Sequence, residues 1–346
     1  LILSASVRAA ALAAALMLCA PALADGFRVE EVPSVTSVDP ARLQPGTILF
    51  SDHGKDPLAD PNTGLFRFED WARERPVERQ LLSLYPGFVE PIVAVTANGV
   101  TKQVKQKLHI YVVEARFLIP RPASAVALKR YATLAFLERI DPAIKHKRIG
   151  PEDAAPFKIP ELAANRLPDR RWCEPAGETL CIQSRYDLEG KLPLGIRLAN
   201  KLEEGGKKIA EFLEFQSELR VLPAAAVDQA ALAKLTGIAT PVVGVLEQSI
   251  FDVNQVMQSG KFLAVIQPLP ADPGKTVATA FLALAVKTSV FERKKQYENV
   301  PVLRNLVPAQ VLAGKSSFNA GSSLSAGLPA FSRNRLKAIA EMLQRE

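Results

Sequence analysis

The 346-residue chain predicts an α+β fold: antiparallel β-sheets, packed helices and a C-terminal amphipathic helix. Three observations predict it. Leu213, Phe215, Leu219 and Val221 alternate with Glu214, Gln216, Glu218 and Arg220, the period of two of a strand with one buried face. Asn98-Gly99 stands between two β-rich runs, and both central residues of a tight hairpin turn need positive φ. Leu336, Ile339, Ala340 and Leu343 recur at helical spacing opposite Arg333, Arg335, Lys337 and Glu341, which marks a helix with one apolar stripe. Strands and helices do not alternate regularly, so a doubly wound parallel sheet is not expected.

The chain opens with Arg8, an apolar run from Ala9 to Ala20 and the small-residue exit Ala22-Leu23-Ala24. That pattern predicts an export signal over residues 1–24, cleaved before Asp25. The run is shorter than the ~20 residues that span a bilayer. Leu18 ahead of Cys19 argues against lipidation. A periplasmic or secreted protein is expected, with no transmembrane segment after cleavage. Residues 25–346 carry 42 cations and 36 anions, since only Arg8 is charged in the leader. A surplus of +6 suits a solvated mixed surface. Export and the lack of a basic–aromatic pattern argue against nucleic acid as a partner.

Residues 25–150 read as a strand-rich region. A short strand is predicted at Thr47–Phe50, and Pro76 opens a helix through Val77–Leu84 with Leu81, Leu82 and Tyr85 as its apolar side. The hairpin at Asn98-Gly99 follows, its second arm running on toward residues 107–120. After Pro122 the pattern turns helical, with Leu128, Tyr131, Leu134 and Ala135 on one face. Four prolines fall between Pro151 and Pro168. They predict a linker or strap over 151–169, dividing the first region from an α+β domain at 170–346.

That second region begins with a strand at 179–187 and a helix at 192–206 ended by Gly205-Gly206. The alternating strand and a short helix at Asp228–Leu235 come next. Runs at 241–256, 261–270 and 276–291 predict an antiparallel meander, with turns at Ser259-Gly260 and Ala271–Gly274. Helices are expected at Val300–Ala313 and Ser332–Gln344, the latter capped by Ser332 and burying its stripe on the second-half sheet. A sheet followed by a long helix resembles, in element order, the lipid-carrying helix-grip domains. No diagnostic motif accompanies that order.

Cys173 and Cys181 are the two cysteines left after the leader, in "WCEPAGETLC". In an oxidising compartment paired thiols oxidise, and Pro175 and Gly177 favour a turn that brings them together. A redox role needs C-x-x-C, and a zinc site needs more ligands than His53, His109 and His146, scattered along the chain, can supply. A structural disulfide is expected.

Catalytic motifs are lacking. Among Ser322, Ser323 and Ser325, no serine has glycine at both −2 and +2, as a nucleophile elbow requires. Gly314-Lys315-Ser316 echoes a phosphate loop, but Ala309 stands where its first glycine belongs. Asp52, His53, Asp56, Asp60 and Asn62 cluster in a turn-rich segment without calcium-loop spacing. Glu30-Glu31 and Glu203-Glu204 are adjacent in sequence, and nothing sets them across a cleft. No cofactor or metal is expected. Binding is favoured over catalysis: a carrier or sensor of a hydrophobic small molecule, with an envelope protein partner as the alternative. If sheet and terminal helix stand apart, Phe215, Phe251, Phe262, Phe281 and Phe331 would line an apolar interior between them.

Overall fold

A computed structural model describes residues 27–61, 64–83, 92–105, 107–158, 167, 170–174, 179–187, 212–253, 257–288 and 324–345. The leader, the helices expected at 192–206 and Val300–Ala313, the phosphate-loop echo and the Pro175–Gly177 turn lie outside them.

Strands β1 (Arg28–Glu31), β2 (Thr47–Asp52) and β3 (Phe66–Arg67) precede helices α1 (Phe68–Glu74) and α2 (Pro76–Ser83). Next come β4 (Ile92–Ala97), β5 (Val100–Lys105), β6 (Leu108–Ile119), α3 (Leu134–Ile140), β7 (Ile144–Arg148) and the short α4 (Ala155–Lys158). The remainder holds β8 (Leu180–Asp187), β9 (Phe212–Pro223), α5 (Gln229–Thr236), β10 (Gly244–Asp252), β11 (Met257–Leu269), β12 (Asp272–Lys287) and α6 (Leu324–Arg345). Ten strands form one sheet in the order β1-β2-β6-β12-β11-β10-β9-β8-β7, with β3 added to β6. Only β1 and β2 pair in parallel among the described strands. The fold is α+β, with a large antiparallel sheet and a long C-terminal helix.

Strands from before and after residues 151–169 share that sheet. β6 pairs with β12 from Ile119↔Thr276 to Leu108↔Lys287, and β7 pairs with β8. The proline-rich stretch therefore does not separate two sheets. Prolines dictate local turns, whereas pairing is decided by which apolar strands can bury one another.

Both faces of the sheet are covered. On one, Tyr111, Val113, Ala115 and Phe117 of β6 and Leu282, Leu284 and Val286 of β12 pack under Leu336, Ile339, Ala340 and Leu343 of α6. On the other, Ile110, Val112, Phe281 and Ala283 meet Trp71 of α1, Leu82 of α2 and Leu232 and Leu235 of α5. Burial on both sides explains why β6 and β12 read as nearly continuous apolar runs. Arg116 is buried on the second face, donating to the Thr279 hydroxyl at 3.2 Å and to the carbonyls of Val38 and Thr236. It thereby satisfies a carbonyl that the end of α5 leaves unbonded. Burial lowers its pKa to about 10, against the raising influence of Glu114.

The hairpin forms as predicted: Asn98 and Gly99 have φ of 52° and 75°. Its second arm stops at Lys105, and β6 joins the main sheet instead. Three other expectations shift. Ser259-Gly260 lies inside β11 and the bend falls between β10 and β11; a Cβ at Gly260 would sit 3.1 Å from Leu284 and 3.2 Å from Ile250. That glycine serves close packing, not a turn. The second meander turn narrows to Pro270-Ala271, since Asp272 already pairs with Leu269. After Pro122 a 3-10 turn at Leu128–Tyr131 precedes α3, whose N-cap Thr133 accepts from Phe136 N at 3.2 Å. The break rotates the buried side to Phe136 and Leu137 and leaves Ala135 exposed.

Helix α6 is longer than predicted, starting at Leu324, so Ser332 is an interior residue and not a cap. Its stripe packs chiefly over β2 and β6, strands of the first half, and Gln344 Oε1 accepts from Gly46 N at 3.1 Å.

Candidate functional site

The sheet face beneath α6 changes character from one side to the other. Around β2, β6 and β12 it is largely apolar, with Thr276 donating to the Arg121 carbonyl and the Tyr111 hydroxyl to Asp52. Toward the β7 edge the same alternation turns polar side chains inward: Ser184 of β8, Ser217 of β9 and Gln248 of β10, all buried. Apolar residues bracket them, because Ile182, Leu219 and Leu246 occupy the neighbouring inward positions and Phe262 is the register partner of Gln248. Helix α6 brings Arg335 over this row. Its Nη2 donates to Gln248 Oε1 at 3.0 Å, and Gln248 Nε2 donates to Ser217 Oγ at 3.1 Å. On β7, His146 Nδ1 lies 2.8 Å from Ser184 Oγ. Ser332, one turn before Arg335, is fully buried and its hydroxyl has no hydrogen-bond partner.

Burial, together with the Arg335 charge, lowers the His146 pKa to about 4. The imidazole is therefore neutral at pH 7. A Ser–His contact invites a nucleophile reading, yet a general base working at neutral pH needs a pKa near 7. Among the described residues no carboxylate orients His146 as a triad requires. The arrangement is equipped to hold a ligand by hydrogen bonds within apolar walls, the usual composition of a small-molecule site.

Of the phenylalanines proposed from sequence, Phe281 and Phe251 lie away from this face. Phe262 is under α6, whereas Phe281 points to the opposite face, toward α1 and α5. Neighbouring residues of a strand face opposite ways, and Phe281 sits next to the inward Leu282. Phe251 stacks on Trp172 at 4.4 Å beside the disulfide. Phe215 is half-buried on the strand side shared with Ser217, and Phe331 lies within α6. Sequence reasoning missed the polar row, whose members span residues 146 to 335. The signal available was Ser184, Ser217 and Gln248 at inward parity, visible only once the strand register is known.

Cys173 and Cys181 form a disulfide with Cα atoms 5.2 Å apart. Closing so short a loop contributes roughly 2–3 kcal/mol on the chain-entropy model. Cys173 N donates to Glu218 Oε1 at 2.7 Å, and Arg170 grips both oxygens of the same carboxylate at 2.8 and 2.5 Å. On the polar side of the alternating strand Glu218 is thus buried, whereas Glu214, Gln216 and Arg220 are half-buried. Glu247 beside it bonds Arg220 at 2.9 Å and Lys261. Burial opposes ionisation of Glu247, but these two cations outweigh it and hold the carboxyl below its ordinary range.

The described part of the Asp52–Asn62 segment, Asp52 to Asp60, is engaged in local bonds. Asp52 accepts from Gly54 N at 2.9 Å and Tyr111 Oη at 3.0 Å, His53 meets the buried Glu114 at 3.5 Å, and Asp56 pairs with Arg75. Among the described residues no group of three or more His, Cys, Asp or Glu is placed to hold a metal ion. A cleft of about 470 Å³ lies nearby, floored by Leu65, Phe66 and Trp71 with His109 on its wall. Its rim cations are paired: Arg67 and Arg73 share Asp70, and Arg75 meets Asp56 and Glu78.

No family model and no curated protein matches the chain. Among solved structures it is similar to the Zhui aromatase/cyclase from Streptomyces sp. R1128, with 11% identity over 68% of this chain and 95% of that one and a TM-score of 0.33. A START superfamily protein from Mycobacterium smegmatis matches at 13% identity over 68% and 97%, TM-score 0.30. Human STARD10 matches at 10% over 85% and 87%, TM-score 0.27. Likenesses this distant carry no weight for function, which rests on the chain's own geometry.

Proposed function

We propose that this protein binds a hydrophobic small molecule between its sheet and α6, as a carrier or sensor. The observation that carries the reading is the inward row of Ser184, Ser217 and Gln248, joined by Arg335, within a largely apolar face. Polar groups in such a face cost stability unless bonded, and a few of them amid apolar walls fix a ligand's orientation. We further propose that the protein is exported, cleaved before Asp25; the Cys173–Cys181 bond supports an oxidising compartment. A titration with Nile red tests the binding reading. Saturable, stoichiometric binding that weakens in Gln248→Leu and is displaced by apolar competitors is expected. Absence of saturable binding, or binding indifferent to Gln248, would overturn it.

A further inference from the structure

Arg335 occupies an unbalanced position. Among the described residues its single hydrogen bond goes to the neutral amide of Gln248, and no carboxylate lies within 4.0 Å of it. Asp141, at the C-terminal end of α3, acts on it electrostatically only from beyond that distance, and its carboxylate accepts from Ala143 N at 3.1 Å. His146, the other titratable group facing Arg335, is neutral and bonded to Ser184, so it offers no negative charge. Arg335 is half-buried, and a guanidinium partly withdrawn from water without a close counter-charge gains from an anion that reaches it.

Ser332 gives a second, independent pointer. It precedes Arg335 by three residues, which places both on neighbouring ground of one helix side. Its buried hydroxyl has no partner. An O–H donor without an acceptor and a cation without an anion thus stand one turn apart. Leu336 and Ile339 follow on the same helix, buried in the apolar core that also holds Phe262.

We propose that Arg335 and Ser332 form the anchor for a carboxylate, and that the ligand is a hydrophobic acid whose apolar body lies along α6. This deepens the small-molecule reading above and rests on it. One cation matches one monoanion, and the planar guanidinium fits a carboxylate through two parallel bonds. The Ser332 hydroxyl donates to the same group.

Isothermal titration of the full chain at pH 7.5 with decanoic acid and decan-1-ol tests it. The tails match, so the head group alone differs. The acid should bind tighter by about tenfold, in keeping with the greater strength of charge-assisted hydrogen bonds. Arg335→Gln should erase that preference, bringing acid affinity down to that of decanol in the same variant, and Ser332→Ala should weaken the acid by a smaller factor. Arg335→Lys, which keeps the charge and loses the planar fork, should retain part of the preference and guards against a misfolded Gln variant. Equal binding of acid and alcohol by the unmodified protein overturns the anchor and leaves the small-molecule reading standing. Binding of neither overturns both.

Discussion

His146 links ionisation to stability at a single ring. Its pKa falls from an ordinary 6.5 to about 4 in the folded protein. Between those values the unfolded chain binds more protons than the folded one, so stability rises with pH through that window. The contribution is complete above pH 6.5 and is lost as pH falls toward 4. Partial solvent contact reduces its size to the order of 1–2 kcal/mol. Thermal melts from pH 7.5 to 4 should show this decline, and His146→Gln should flatten it. A wild-type melting temperature constant from pH 6.5 to 4.5 would contradict the burial and charge described for the ring. Glu247 acts in a lower window, losing its contribution only as pH falls below about 4.5. The two residues are therefore separable in one titration.

Helix α6 does two jobs with two sets of residues. Leu336, Ile339 and Leu343 are nearly inaccessible and fill the core over β2 and β6, whereas Arg335 addresses the polar row, with the buried Ser332 one turn before it. Leu336→Ala and Ile339→Ala should each lower stability by about 2–5 kcal/mol, the sum of lost transfer energy and an unfilled cavity. Leu343→Ala should cost less, because the final turn of a helix relaxes more easily. Urea denaturation measures all three; a cost near zero for Ile339→Ala would mean that the helix does not close the core. The apolar stripe was legible in the sequence because helical periodicity is local. The helix start was not. Gly327 and Pro329 look like breakers and Ser332 looks like a cap, yet the helix runs through all three. The hairpin at Asn98-Gly99 was legible for the opposite reason, since its turn makes a demand that few residue pairs meet.

At the scale of the whole molecule, strand pairing ties together stretches that composition sets apart. Prolines at 151–169 suggested two units, but β6 and β12 join the halves along their full lengths. Residues 25–150 and 170–346, produced separately, should each fail to give a cooperative melt, while the intact chain melts as one. Two independent transitions that sum to the intact behaviour would restore the division. The candidate site was hidden for a related reason. His146, Ser184, Ser217, Gln248 and Arg335 come from five different elements, and no window of sequence contains more than one. Single polar residues in strands carry little meaning until register shows that they share a side. The disulfide, by contrast, lay within ten residues and needed only compartment chemistry to be read.

The bond between Gly46 and Gln344 spans 298 positions of sequence. During synthesis β2 emerges long before the helix that covers it. The first strands must wait, with apolar β6 unpaired on its β12 side, until most of the chain has been made. Wiring this non-local belongs to the slow end of folding, since long loops close before their contacts repay the entropy. Nascent chains of this protein therefore present open strand edges for an extended interval, and their safe passage depends on whatever shields those edges until α6 arrives.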